Sequence, residues 1–420
     1  MRALPAGRAA GVIRVPGSKS AAIRALAVAA LAPGRSTIHG GDLYEDTEAM
    51  LRVLEGFGVP AVAGESWEVN GGSLRAPEGP IDCGESGLSA RIAMAMAATV
   101  DGETTITGRG RLLERPMAPL VEILRSQHIE VRASTGGTLP LTVNGRGGWW
   151  GGEIVVPTDT STQFLTAVLL AAPTARYPTA VRAVGDGGAI GYVGMTLDVM
   201  AGFGVRVIEA AQGFEVPNSG YRAGSYGVPP DASSAVYPAV AAAITGGEVT
   251  ILGLDANDRQ PDMEVFEHLR AMGCIVDAVD VGVRVIGPDG LDPIEADMEG
   301  APDGALGLSV ACLFARGNSR LTGLGSLRHK ESDRLAAMAE GLGRLGARVE
   351  VTEDSISIDP PADAAAAVVA AHGDHRVAMS LALAGLRIEG VAVDHPEVVA
   401  KTWPGFWEDV ERLVGAGSSR

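Results

Sequence analysis

The stretch Ser326-Leu327-Arg328-His329-Lys330-Glu331-Ser332-Asp333-Arg334 gathers six charged or titratable residues between a Gly-rich run, Leu321 to Gly325, and a helical pattern from Leu335 to Leu345. A helix beginning near Glu331 would put Lys330 and Arg334 about one turn apart on one side, with Glu331 between them. A carboxyl flanked by fixed cations is what anion binding coupled to proton transfer requires. The same string also suits a solvated helix start with i,i+4 ion pairs, so it does not decide the matter alone.

Elsewhere cations recur at helix beginnings and in short polar motifs: Lys19, Arg24, Arg91, Arg115 in Glu114-Arg115-Pro116, Arg376, and Lys401 in Lys401-Thr402-Trp403-Pro404. The candidate carboxylates among them are Asp303 and Glu331. A surplus of positive charge around two acid/base groups, with no metal-ligand spacing, suits a reaction on phosphorylated or carboxylated small molecules with proton transfer by the protein. Gly17-Ser18-Lys19-Ser20 suggests a P-loop, but the GxxxxGK[ST] spacing is absent.

The composition narrows the class. The 420 residues suffice for two or three domains with full cores. With 46% apolar residues, only 4% aromatic ones and 57 glycines, the interior must be built from Ala, Val, Leu, Ile and Met in a globular α/β fold. A formal net charge of −17 argues against nucleic acid or an acidic membrane surface as partner. Cys83, Cys274 and Cys312 have no CxxC spacing, which points to a reducing compartment. No signal-peptide pattern and no membrane-length apolar run is found, so the expected location is the cytoplasm.

Positioning these groups falls to a repeated unit. An amphipathic helix ending at a glycine or similar stop, followed by a β-branched strand, recurs at Met50–Gly58, Leu120–His128, Leu197–Gly204, Val265–Gly273 and Met338–Gly346, with a truncated copy at Phe406–Gly415. The period of about 70 residues exceeds that of solenoids, so each unit is a βαβ-type subdomain. Each also carries an upstream helix apolar almost all round, which must be buried. These run over Ala21–Leu31, Leu88–Thr99, Phe164–Ala172, Ala235–Thr245, Ala305–Ala315 and Val377–Leu386. Their openings are rich in capping residues and free N–H groups. Capping explains those residues by itself; several such ends facing one cleft would also trap anions. The stretch Pro217 to Pro230 divides three units from three and reads as the domain boundary.

The motifs Pro16-Gly-Ser-Lys-Ser with Arg24, Glu114-Arg-Pro, Ser161-Thr-Gln, Asp231-Ala-Ser-Ser, Lys330-Glu-Ser-Asp-Arg, Asp374-His-Arg and Lys401-Thr-Trp-Pro, taken in order, resemble the signature series of the EPSP synthase (3-phosphoshikimate 1-carboxyvinyltransferase) family. The resemblance implies two similar domains of three βαβαββ repeats each, the buried helices pointing their N-termini towards the interdomain cleft. One lobe would be discontinuous, residues 1–15 with 229–420, and the other would be 16–228.

It further implies transfer of the enolpyruvyl group of phosphoenolpyruvate to the 5-hydroxyl of shikimate 3-phosphate, in chorismate and aromatic amino-acid biosynthesis, by a monomer without cofactor or metal. Lys19, Arg115, Gln163, Arg334, Arg376 and Lys401 would hold phosphoenolpyruvate, with the backbone at Gly87. Lys19, Ser20, Arg24, Ser161, Thr162, Gln163, Asp303 and Lys330 would hold the phosphorylated shikimate. Asp303 would be the general base, Glu331 the proton donor to the methylene carbon, and Lys19 a proton carrier in the elimination.

Departures from the family pattern are uneven: every phosphoenolpyruvate-side cation is retained, while acceptor-side hydrogen-bonding groups are thinned. Ile23 and Ser326 stand where Asn is usual, Gly373 replaces another Asn, Thr162 replaces Ser, and Ala189 replaces a Ser near the retained Tyr192. Glu85-Ser86-Gly87-Leu88 stands where many members read Asn-Ala-Gly-Thr. Two alternatives follow: a paralogue acting on a different cyclic acceptor, and a non-catalytic small-anion-binding relative. Retention of both Asp303 and Glu331 speaks against the latter. The sister family acting on UDP-N-acetylglucosamine carries a reactive Cys in the loop matching Gly108–Arg115, and this chain has none there.

Overall fold

The computed structural model describes residues 1–417 apart from 63, 160, 186–190 and 212, with the backbone alone at 416 and 417. Ala189, read from the sequence above, lies outside the described residues. The chain divides into two compact units: Gly17–Pro229, continuous in sequence, and Met1–Pro16 with Pro230–Arg420.

In the continuous unit the helices are α1 (Lys19–Leu31), α2 (Glu45–Gly56), α3 (Gly87–Ala97), α4 (Ala118–Ser126), α5 (Gln163–Ala171) and α6 (Gly191–Gly202). Helices α1, α3 and α5 touch one another, and their Ala-rich surfaces allow that close approach. From Ala21 to Leu31 every residue of α1 is buried, and every residue of α3 is too. An all-apolar helix can be stable only in such a place. Around the helices stand four-stranded sheets in one repeated pattern, for example Ile81–Asp82, Asp101–Thr107, Leu141–Arg146 and Glu130–Arg132 in spatial order. The first pair is parallel, and the other two are antiparallel.

The discontinuous unit repeats the scheme with α7 (Ala232–Thr245), α8 (Glu264–Ala271), α9 (Ala305–Leu313), α10 (Arg334–Arg344), α11 (His375–Ala382) and α12 (Phe406–Gly417). Helices α7, α9 and α11 are its buried ones. Its last repeat is abbreviated to two parallel strands, Val368–Val369 and Ala392–Val393, to which Arg2 adds one antiparallel bridge.

Two repeats borrow their leading strand from afar. Ala10–Ile13 pairs in parallel with Glu248–Leu252, so the N-terminus completes the first repeat of the discontinuous unit. Ser225–Gly227 pairs in parallel with Gly34–His39 and completes the first repeat of the continuous unit. The chain therefore passes from one unit to the other after Pro16 and returns after Pro229.

The helix expected to begin near Glu331 starts instead at Arg334. Asp333 caps it, Oδ1 accepting the Ala336 N–H at 3.0 Å, while Gly325–His329 forms a 3₁₀ turn and Lys330 is extended. The physical reason is competition. Asp is a strong N-cap, and the side chains of Lys330, Glu331 and Ser332 are each engaged by a group outside that segment or by Arg334. Likewise α7 begins at Ala232, three residues earlier than its apolar pattern, because Asp231 caps it through Ser234 N–H at 3.0 Å.

Candidate active site

In the discontinuous unit the expected residues are brought together by Arg334, the first residue of α10, whose side chain is 1% exposed. Its guanidinium reaches three carboxylates. Nη1 donates to Asp303 Oδ1 at 2.7 Å, Nη2 lies 2.8 Å from Glu331 Oε2, and Nε donates to Asp374 Oδ2 at 2.7 Å. Asp303 is also 3.3 Å from Lys330 Nζ and 3.4 Å from Arg376 Nε. Glu331 lies 3.9 Å from Lys401 Nζ, at the end of the 3₁₀ turn Pro396–Lys401. Lys330 and Arg334 thus converge on one oxygen of Asp303, not through helical spacing but because an extended residue and a helix start face the opening of α9.

Asp374 ties this cluster to α11. It caps that helix by accepting the Arg376 N–H at 2.9 Å, takes the Ser332 hydroxyl at 3.1 Å, and is completely buried. A buried carboxylate held by a guanidinium, a hydroxyl and a backbone N–H is fully satisfied, so it fixes Arg334 rather than competing for ligand. Sequence reading singled out Asp374 only as part of a motif; capping was its one legible role.

Burial alone would push Asp303 upward, but Lys330, Arg376 and Arg334 outweigh it and hold its carboxyl well below the usual carboxylate range. Burial opposes the charge on Arg334 and Arg376; the carboxylates around them more than offset it and raise both. Burial pushes the Tyr237 phenol up to about 12 against the opposing pull of Arg376 and Arg334. The outcome is a carboxylate, Asp303, that is ionised at neutrality, beside a partly exposed Glu331, both held by cations that an anionic ligand could also engage.

The continuous unit holds its cations differently. Lys19, opening α1, pairs with Asp46 of α2 at 2.9 Å. The Asp46 carbonyl accepts the Ser89 hydroxyl of α3 at 3.3 Å, linking this pair to the helix that Gly87 begins. Arg91 donates to Gln163 Oε1 at 2.7 Å, the Gly87 carbonyl at 3.1 Å and the Pro116 carbonyl at 3.1 Å, and stacks on Phe164 at 4.8 Å. Arg115 lies against Gly87: a Cβ there would stand 2.4 Å from Arg115 Nη1, so a side chain at this position would displace that guanidinium. Ser161 Oγ accepts the Gln163 N–H at 3.2 Å, and the Thr162 carbonyl accepts from Thr166 at 3.0 Å. Gly87, Arg115 and Gln163 are thus one group, joined by Arg91.

Arg24 stands apart from that group. Its guanidinium, 1% exposed, donates to the Ser20 carbonyl at 2.8 Å and to the hydroxyls of Thr196 at 2.9 Å and Thr166 at 3.2 Å. Burial pushes it down to about 10, and it stays charged near neutrality. Burial and then the like charge of Arg115 lower Arg91 as well.

Of the departures from the family pattern, Ile23 is fully buried in the core of its unit. Gly373 has φ of +68°, a left-handed conformation that glycine adopts freely and Asn next best, so the exchange preserves the turn before Asp374. All three cysteines are buried, and burial pushes each thiol up to about 12.

Three kinds of comparison bear on this arrangement. A family model described as EPSP synthase (3-phosphoshikimate 1-carboxyvinyltransferase) matches residues 5–410. A protein named 3-phosphoshikimate 1-carboxyvinyltransferase from Methanoculleus marisnigri is 38% identical over 416 residues, covering 96% of both chains. One of the same name from Enterobacter sp. is 35% identical over 424 residues, 97% of each. Among solved structures, an EPSP synthase from Acinetobacter baumannii superposes with a TM-score of 0.84 at 28% identity, covering 98% of this chain and 97% of that one. The enolpyruvyl transferase NikO from Streptomyces tendae, at 17% identity and a TM-score of 0.76, shares the fold and covers 98% of this chain and 96% of its own.

Proposed function

The chain belongs to the EPSP synthase family, and on that premise we infer that it transfers the enolpyruvyl group of phosphoenolpyruvate to the 5-hydroxyl of shikimate 3-phosphate, releasing phosphate. The observation that carries this reading is the joining of Asp303, Glu331, Lys330, Arg376 and Lys401 through or beside the single guanidinium of Arg334. A binding protein would need the cations, but not two carboxyls of different exposure set among them.

In this reading Asp303 accepts the hydroxyl proton as the oxygen bonds to C2 of phosphoenolpyruvate. Glu331 delivers a proton to the C3 methylene, giving a tetrahedral adduct. Breaking the C2–O bond expels phosphate, and a proton leaves the C3 methyl to restore the double bond, with Lys19 as its carrier. Arg334, Arg376 and Lys401, with Lys19, Arg115, Gln163 and the Gly87 backbone, hold phosphoenolpyruvate. Lys19, Ser20, Arg24, Ser161, Thr162, Gln163, Asp303 and Lys330 hold the acceptor. The reading requires both sets to reach the same pair of ligands, and it rests on the fixed positive charge each unit carries.

Phosphate release from phosphoenolpyruvate, with and without shikimate 3-phosphate, tests it. Release that depends on that acceptor is expected; donor binding without release under either condition would overturn it. Among the described residues no helix is long and apolar enough to cross a membrane. The reading has the enzyme working as a monomer in the cytoplasm, and light scattering at the mass of one chain checks the first point.

A further inference from the structure

Gln260 and Asp262 lie in the segment leading into α8, and both are almost completely buried, at 4% and 2% exposure. The reaction scheme above uses neither. Polar groups this deep must find partners within the protein. Gln260 does so at the start of α7, where Oε1 accepts the Ala232 N–H at 3.1 Å and Nε2 donates to the Pro230 carbonyl at 2.7 Å. Asp262 joins two helix openings. Its Oδ1 accepts the Gly304 N–H at 3.0 Å, and its Oδ2 accepts the Ser233 hydroxyl.

Gly304 is the N-cap of α9 and the direct neighbour of Asp303. A Cβ on it would stand 2.5 Å from Val265 Cγ2 and 3.0 Å from Asp262 Oδ1, so this approach depends on glycine. The carboxylate of Asp262 therefore anchors the peptide that carries the candidate base. Its charge reaches further. Arg376 of α11, Asp303 before α9, Ser233 and the α7 cap Asp231 all act on Asp262. Arg376 in turn feels Asp303, the Tyr237 phenol, Asp262 and Asp231. An anion brought to Arg376 competes with these fixed carboxylates.

The geometry points to Asp262 as a positioning residue of the transferase, fixing the peptide beside Asp303 and tempering the attraction of Arg376 for an anionic donor and for departing phosphate. The inference rests on the reading of Arg376 as a phosphoenolpyruvate ligand. Tempering has a use, because a cation that binds substrate and product equally tightly slows release without aiding chemistry. Burial, partly offset by Arg376, pushes the Asp262 carboxyl up to about 6, so its charge is present at neutrality and lost in mild acid.

The test is KM for phosphoenolpyruvate, by initial-rate phosphate release at saturating shikimate 3-phosphate, for wild type and Asp262→Asn from pH 5 to 8. Asn keeps an acceptor for the Gly304 N–H and removes the charge. The variant should show KM lower by about three- to tenfold at the alkaline end. That difference should close in acid, where wild-type Asp262 is itself protonated; taking the ratio cancels the ligand's own titration. The kcat should fall in the same variant, because Asp303 loses a like-charged neighbour that supports its proton affinity.

Ser233→Ala removes a hydrogen bond to the ionised form and should move the pH at which KM changes upward, which keeps the inference testable if the Asn variant does not fold. A pH-independent KM ratio, a raised KM in Asp262→Asn, or an unmoved midpoint in Ser233→Ala would overturn it. Wild type that releases no phosphate with this acceptor would overturn the function reading instead.

Discussion

Arg24 and Arg91 in the continuous unit, and Arg334 and Arg376 in the discontinuous one, are all buried guanidiniums carried on helices. Arg334 and Arg376 face carboxylates: Asp303, Glu331 and Asp374 for the first, Asp303 for the second. The described hydrogen bonds of Arg24 and Arg91 end on carbonyls, hydroxyls and the Gln163 amide, and the Nε of Arg91 has no hydrogen-bond partner among the described residues. One unit neutralises its buried positive charge and uses it to set carboxyls. The other sets Lys19 against Asp46 but gives its two buried guanidiniums neutral acceptors. A guanidinium is thus buried in two ways: against carboxylates in the discontinuous unit, and against neutral acceptors in the continuous one.

The largest expected effect falls on the proton-transfer side. Glu331→Gln should lower turnover by about 10²- to 10⁴-fold while phosphoenolpyruvate binding, read by calorimetry, stays within a few-fold. Near-normal turnover would move acid catalysis away from Glu331. Stability should then separate the two kinds of arginine. Arg334→Ala strands the buried Asp374 without its guanidinium, while Asp303 keeps Lys330 and Arg376, and should cost about 3–5 kcal/mol in urea unfolding. Arg91→Met leaves the Gln163 amide and two backbone carbonyls without their donor but strands no charge, and should cost less, about 1–3 kcal/mol. Equal losses would show that the two kinds of arginine do not differ in what they hold together.

Lys401→Ala tests the donor assignment. It should weaken phosphoenolpyruvate by about tenfold or more and shikimate 3-phosphate much less; equal losses would contradict it. The smallest effect concerns acid. Asp303 is depressed by its cations, so its ion pairs stabilise the fold fully above the unfolded value of about 4 and fade as pH falls through the lower folded value. Asp303→Asn should therefore destabilise the protein near neutrality and progressively less below about pH 4. A pH-independent difference would show that the charge of Asp303 contributes nothing to the fold.

Much of this organisation was legible in the residues themselves. Buried helices announced themselves by being apolar on every face, and the Gly-stopped amphipathic helices by their period. Asp303, Glu331 and the motif cations could be listed from the family pattern. Three things could not. The start of α10 lies at Arg334 rather than near Glu331, because Asp333 outcompetes Glu331 as a helix boundary once Lys330 to Ser332 find partners elsewhere. Asp46, the partner of Lys19, carries no local signal. Asp262 sits in an unremarked Gln-Pro-Asp, and only burial shows what it touches.

The sequence by itself determined the repeated α/β units, which stretches must be buried, and the types of side chain available for chemistry, because those follow from local periodicity and composition. Tertiary structure alone decided that Ala10–Ile13 pairs with Glu248–Leu252 and Ser225–Gly227 with Gly34–His39, and that one guanidinium links Asp303, Glu331 and Asp374. Parallel pairing and ion-pair choice join residues far apart in the chain. Many partners satisfy the same local preferences, and only the packed fold selects among them.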